Sequence, residues 1–137
     1  MEQNASFLLL FLSIFSISGP NIKNDRPIVV FGDGSSSRDY IFIADVCQLM
    51  TLSLTRPNES DTFNLGTGTA TSLSKLLEHV QASARTPSQV VHLPGRPCDI
   101  QSIALSPDRI LQLMPQFRFT SLEVGIKQTF RSYGIGR

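Results

Sequence analysis

The chain has 137 residues, enough for one domain or part of one and too few for a complete two-domain enzyme. Its 12 basic and 11 acidic side chains leave a net charge of +1, which supplies no overall field to attract nucleic acid or an anionic membrane. Two cysteines, Cys47 and Cys98, are too few and too far apart for a metal cluster and require no oxidising compartment, so a cytoplasmic location is expected.

Residues 7–17 form an almost unbroken apolar run, followed by Ser16-Ile17-Ser18 in the small-x-small order of a cleavage site. Against a secretory signal, the preceding segment carries Glu2 and no Lys or Arg. The run also falls far short of the roughly 20 residues that cross a bilayer, so it reads as a packing helix or the scar of a truncation rather than a span.

From Arg26 onward short strands alternate with helices. Pro27 leads into Ile28-Val29-Val30-Phe31, a run rich in branched residues that reads as a buried strand. A polar loop over 32–39 follows, and Tyr40-Ile41-Phe42-Ile43 reads as a second strand. Asp45 can then cap a helix whose apolar positions Val46, Leu49, Met50 and Leu54 fall on one face. Pro57-Asn58 ends that helix. Residues 62–65 give a third strand, and the turn Gly66-Thr67-Gly68 leads to a helix with Leu73, Leu76, Leu77 and Val80 in a stripe. Pro87 marks its end, and residues 90–93 form a fourth strand. Ser106, Pro107 and Asp108 open a third helix. Thr120 with Glu123 suggests a capping box for a fourth, striped by Leu122, Ile126, Phe130 and Tyr133. The alternation makes the class α/β.

Two glycine pairs invite a dinucleotide reading, which physically requires strand, glycine turn and helix in succession so that free backbone N–H groups meet the pyrophosphate. Gly32-x-Gly34 follows a strand but opens onto Arg38-Asp39-Tyr40-Ile41, which is strand-like. Gly66-x-Gly68 lies between strand and helix, yet Thr71 replaces the third small residue and no acid follows a later strand, so a tight turn is the better reading. His79 falls on a polar helix flank and His92 in a strand without an evident carboxylate partner, and neither signals chemistry. Tyr133 and Arg137 have the spacing of a Tyr-x-x-x-Lys pair but end in Arg. Arg38 and Arg96 sit in polar loops beside an acid each, where a guanidinium suits bidentate phosphate recognition or pairs with Asp39 or Asp99 on the surface.

The segment 27–46, with Gly32, Gly34, Arg38-Asp39-Tyr40 and Asp45, resembles a stretch of the extended short-chain dehydrogenase/reductase family, the NAD-dependent epimerases and dehydratases of sugar nucleotides. Phe63-Asn64-Leu65-Gly66-Thr67-Gly68, then Arg96-Pro97-Cys98-Asp99, then residues 121–126 with Tyr133, are similar to later blocks of that family in the same order. The wording is most like that of UDP-sugar 4-epimerases.

The resemblance implies a partial extended short-chain dehydrogenase/reductase fold with about four helices, lacking most of the Rossmann domain. Residues 1–19 would be an apolar N-terminal segment and 20–137 the substrate-binding region. Phe31 with the backbone near Val29 would hold the uracil of a UDP-sugar, Arg38 and Arg96 the pyrophosphate, and Asp99 the ribose. Cys98 stands where the family has glycine, placing a side chain near the expected pyrophosphate site. The full-length family uses NAD, with a glycine-rich loop and a Tyr-x-x-x-Lys pair, and neither occurs here; no cofactor is expected in this chain, and no catalytic residue or metal ligand is assigned. The expected function is UDP-sugar binding by a fragment that is not catalytic alone. A non-catalytic binding module, self-associating or paired with a chain carrying the missing half, and a small secreted protein remain as alternatives.

Overall fold

The computed structural model describes residues 26–54, 62–84, 86–97 and 99–134. The N-terminal segment 1–19, Pro57-Asn58, Cys98 and Arg137 lie outside the described residues.

Strand β1 (Ile28–Phe31) alternates as a half-buried strand should, with Ile28 and Val30 in the core and Val29 and Phe31 facing out. It pairs in parallel with β4 (Val90–Leu93), which sets Val29 beside Val91 and Phe31 beside Leu93 on the outer face. The inner face packs on two striped helices, α2 (Leu73–Ser83) and α4 (Leu122–Ser132). Leu76, Leu77 and Val80 of the first and Ile126 and Phe130 of the second join Ile28 and Val30 in one cluster. Gly125 lets α4 approach Phe42, whose ring carbon would lie 3.2 Å from an added Cβ.

A second, antiparallel pair joins β2 (Ser37–Asp39) to β3 (Ala70–Ser72). The strand expected at 40–43 is displaced: the ladder ends at Asp39, and helix α1 (Ile43–Leu54) already begins at Ile43. No strand forms at 62–65 either. Phe63 and Leu65 instead pack irregularly against a second cluster of Leu49, Ile110, Met114 and Phe117, so their alternation reports burial and not a ladder. Phe117 and Phe119 meet edge to face there, with centroids 5.2 Å apart. Ile110 comes from α3 (Asp108–Leu113), where Ser106 Oγ accepts from the Asp108 amide at 3.3 Å.

Two capping expectations need correction. Asp45 lies inside the first turn of α1 and does not cap it; its buried carboxylate accepts from Thr120 N at 2.7 Å and Thr120 Oγ1 at 2.8 Å. Thr120 is therefore committed to Asp45, and Ser121 caps α4 by accepting from Val124 N at 3.4 Å. Of the stripe expected on α1, Val46 and Leu49 are buried while Met50 and Leu54 are exposed.

Candidate functional site

Parallel strands present their carboxyl ends and following loops on one side, which is where ligands bind in α/β proteins. Here the loop after β1 (residues 32–36) and the loop after β4 (residues 94–97) meet at that end. Gly32 and Gly95 make the close approach, since a Cβ on Gly32 would lie 3.7 Å from the Cα of Gly95. Gly32 has a φ of 82°, a conformation that L side chains rarely adopt. Its amide donates to Leu93 O at 2.8 Å, and His92 Nδ1 lies 2.8 Å from its carbonyl, which ties the turn to β4.

On this frame the Arg96 guanidinium carbon sits 3.8 Å from the centroid of the Phe31 ring. That stacking is a cation–π contact between two exposed side chains. The Asp99 amide donates to Arg96 O at 3.1 Å, so Arg96 and Asp99 belong to one tight turn with the Asp99 side chain exposed. Val29 lies on the same outer face as Phe31, at 47% exposure.

Arg38 lies in β2 and not in a loop as expected. Its Nη1 donates to Ser37 O at 2.8 Å and to Ile100 O at 2.6 Å, immediately beyond Asp99. The segment that supplies this carbonyl runs along β2: Ser37 N donates to Gln101 O at 2.8 Å, Ile103 N donates to Ser37 O at 3.2 Å, and the Ser37 and Ser102 hydroxyls are 2.8 Å apart. The fold thus connects all five residues singled out in the sequence, Val29, Phe31, Arg38, Arg96 and Asp99, through β1, β2 and the loop after β4. Neither surface ion pair considered for the arginines forms between the described residues. Asp39 turns inward, and Arg96 takes Phe31 in place of Asp99.

Asp39 is the residue whose role the sequence concealed. Buried, it accepts from Thr67 N at 2.9 Å and Thr67 Oγ1 at 2.6 Å through Oδ1, and from Gly68 N at 2.9 Å and Leu105 N at 3.2 Å through Oδ2. The glycine turn 66–68 is therefore filled by the chain's own anion. A dinucleotide pyrophosphate needs those amides free, and a Cβ on Gly66 would lie only 2.6 Å from Asp39 Oδ2, so the turn has no room for a phosphate. The Gly32–Gly34 turn is likewise committed: Gly34 O accepts from Ser74 N at 3.0 Å and Ser74 Oγ at 3.1 Å, and Ser35 N donates to Asp33 Oδ1 at 2.9 Å. These contacts from Ser35, its hydroxyl foremost, hold the Asp33 carboxyl below the usual carboxylate range. The amides of Gly32, Thr67 and Gly68 are thus already hydrogen-bonded within the chain.

Among the described residues no group of three or more His, Cys, Asp and Glu could hold a metal ion, and no helix is long and apolar enough to cross a membrane.

The profile of the NAD dependent epimerase/dehydratase family matches residues 16–66. Over 60 residues, 44% of this chain, it is 42% identical to the dTDP-4-dehydro-6-deoxyglucose reductase of Escherichia coli, of which that stretch covers 19%. Over 104 residues it is 29% identical to the UDP-glucose 4-epimerase of Mycolicibacterium smegmatis, covering 76% of this chain and 33% of the relative. The solved UDP-glucose 4-epimerase of Thermus thermophilus, in complex with NAD, superposes with a TM-score of 0.75 at 24% identity, covering 88% of this chain and 40% of that one. The chain thus spans well under half the length of the proteins it matches. Matched residues and fold agree that it is a relative of the NAD-dependent epimerase/dehydratase family and carries part of that family's α/β fold.

Proposed function

We propose that the described region binds the nucleoside diphosphate end of a pyrimidine nucleotide sugar, with UDP as the expected nucleotide. The observation that carries this reading is that two guanidinium groups, neither on a carboxylate among the described residues, both engage the surroundings of the segment after β4: Arg96 belongs to it and stacks on Phe31, and Arg38 donates to its Ile100 carbonyl. Arg38 and Arg96 would neutralise the diphosphate, Phe31 and the Val29 backbone would lie along the base, and Asp99 would accept from the ribose. The names of the relatives, a UDP-glucose 4-epimerase and a dTDP-sugar reductase, share a pyrimidine nucleoside diphosphate, which supports the same class of ligand.

The role proposed is binding. Asp39 already holds the Thr67 and Gly68 amides of the 66–68 turn, so hydride chemistry would need a cofactor site supplied by residues other than these. Calorimetric titration of UDP into the full chain tests the reading. Wild type should bind, and the Arg38→Ala, Arg96→Ala double variant should lose at least tenfold in affinity, because each charge-assisted contact contributes about 1.5–3 kcal/mol. Equal binding by both proteins would overturn it.

A further inference from the structure

A guanidinium offers five N–H donors in a planar fork, and which of them remain available decides how it meets an anion. In Arg38 the Nη1 nitrogen donates to two carbonyls, Ser37 O and Ile100 O, and so directs both of its hydrogens into the protein. The Nε–Nη2 edge is left, and this is an edge that presents parallel donors to a phosphate or carboxylate. Arg38 is half-buried and pairs with no acid among the described residues, so its charge is held in place without being neutralised.

One of those two carbonyls comes from a segment outside any regular strand. Ile100 is positioned because residues 101–103 lie beside Ser37, in a single parallel bridge between Ser37 and Ser102. Two backbone hydrogen bonds make that bridge, and the Ser37 Oγ to Ser102 Oγ bond at 2.8 Å is the side-chain link across it. Without the link, the two backbone hydrogen bonds still hold the bridge, but its exposed Ser102 side loses its side-chain tie and the neighbouring Ile100 carbonyl gains room to move. Each excursion of that carbonyl loosens one of the two contacts that fix the Arg38 fork.

We propose that Ser102 is a positioning residue for the diphosphate site: its hydroxyl, through Ser37, fixes the Ile100 carbonyl that holds Arg38 with its Nε–Nη2 edge presented to the anion. The inference about ligand affinity rests on the nucleoside diphosphate reading above. The inference about Arg38 itself does not, and the two can be told apart.

The test uses the full-length chain labelled with nitrogen-15. A guanidinium pinned through one Nη rotates slowly about its Cζ–N bonds, so wild type should give resolved, slowly exchanging Nη resonances for Arg38 at low temperature. Ser102→Ala should merge them, and Ser102→Thr, which restores the hydroxyl, should bring them back. In parallel, Ser102→Ala should weaken UDP binding roughly three- to tenfold, the equivalent of one lost hydrogen bond, and should have no effect in the Arg38→Ala background. Averaged Arg38 resonances in wild type, or resonances unchanged by Ser102→Ala, would overturn the proposal. So would a loss of affinity from Ser102→Ala that persists undiminished without Arg38. If wild type binds no UDP, the diphosphate reading falls while the Arg38 resonances still decide the positioning role.

Discussion

Asp39→Asn replaces one oxygen of a buried carboxylate by an amide nitrogen and changes almost no volume, so it isolates the hydrogen bonding at the junction of β2, the 66–68 turn and the segment before α3. Oδ1 serves the amide and hydroxyl of Thr67, and Oδ2 serves the amides of Gly68 and Leu105. Asparagine can satisfy one of these pairs. At the other, an NH2 group faces two N–H donors, or one N–H and a hydroxyl that can rotate. Two buried donors left without an acceptor cost about 2–4 kcal/mol in all, given about 1–3 kcal/mol for each stranded group and partial recovery through relaxation. For a chain of this size that loss corresponds to a fall of roughly 6–15 °C in Tm. The assay is a thermal melt followed by circular dichroism, with urea unfolding to obtain the free energy. Asp33→Asn is the control, because Asp33 is exposed and accepts locally from Ser35; it should stay within about 0.5 kcal/mol of wild type. Asp39→Asn within about 0.5 kcal/mol of wild type would refute the reasoning that this carboxylate is the internal anion of the turn.

Further outcomes follow from individual contacts. Gly66→Ala should destabilise by about 2–4 kcal/mol in urea unfolding, since the new Cβ would meet Asp39 Oδ2 at 2.6 Å and Leu105 Cβ at 2.8 Å and Asp39 cannot yield. Gly134→Ala, with open space around its Cβ but a φ of 67°, should lose only about 1 kcal/mol. Phe130→Ala, at a fully buried position between the sheet and α2, should cost about 3–5 kcal/mol, and a loss under about 1.5 kcal/mol would contradict the core assignment. Burial raises the Tyr40 pKa above its ordinary value of 10.0, with the nearby Arg38 charge opposing. Neutral Tyr40 thus persists to higher pH in the folded chain than in the unfolded one, so stability is fully present below the ordinary value and falls as pH rises from there through the higher folded one. Ultraviolet titration of the two tyrosines should show one ionising late, and later still in Arg38→Ala; a late step unmoved by that substitution would contradict the coupling.

Much of the fold was legible because its signals are local. The branched run 28–31, the short run 90–93, the stripe of α2 and the Leu122, Ile126 and Phe130 part of the stripe on α4 give apolar periods that the structure packs into one cluster, whereas Tyr133, expected on the same stripe, is exposed beyond the helix end. Residues 62–65 mislead because alternation records which side chains are buried and says nothing about a ladder partner; Phe63 and Leu65 satisfy it against Ile110 and Phe117 without pairing. Asp45 and Thr120 each have the look of a helix cap, and each instead finds the other across 75 positions of sequence. Short polar side chains serve local and distant donors equally well, so spacing alone does not separate the two uses.

The candidate site was legible by type and concealed in its arrangement. Arg38 and Arg96 stand out as guanidiniums in polar surroundings, but nothing local shows that Arg96 stacks on Phe31 or that Arg38 reaches Ile100, 62 positions away. Asp39 is hidden by its neighbour, since an Arg-Asp pair in sequence suggests a surface ion pair. In a strand, successive side chains point to opposite faces, so Arg38 and Asp39 had to diverge once β2 formed. That geometric rule is the signal that assigns Asp39 inward.

Where a nucleotide settles on this chain is the most direct test of the account. Backbone amide shifts should be recorded during titration of the nitrogen-15-labelled full chain with UDP, and separately with NAD. UDP is expected to move the amides of residues 29–31, Arg38, Gly95, Arg96, Asp99 and Ile100, saturably, while the 66–68 turn stays still under both ligands because Asp39 already holds its Thr67 and Gly68 amides. Saturable NAD-dependent shifts at Thr67 and Gly68, with residues 29–31, Gly95, Arg96, Asp99 and Ile100 silent to UDP, would contradict it.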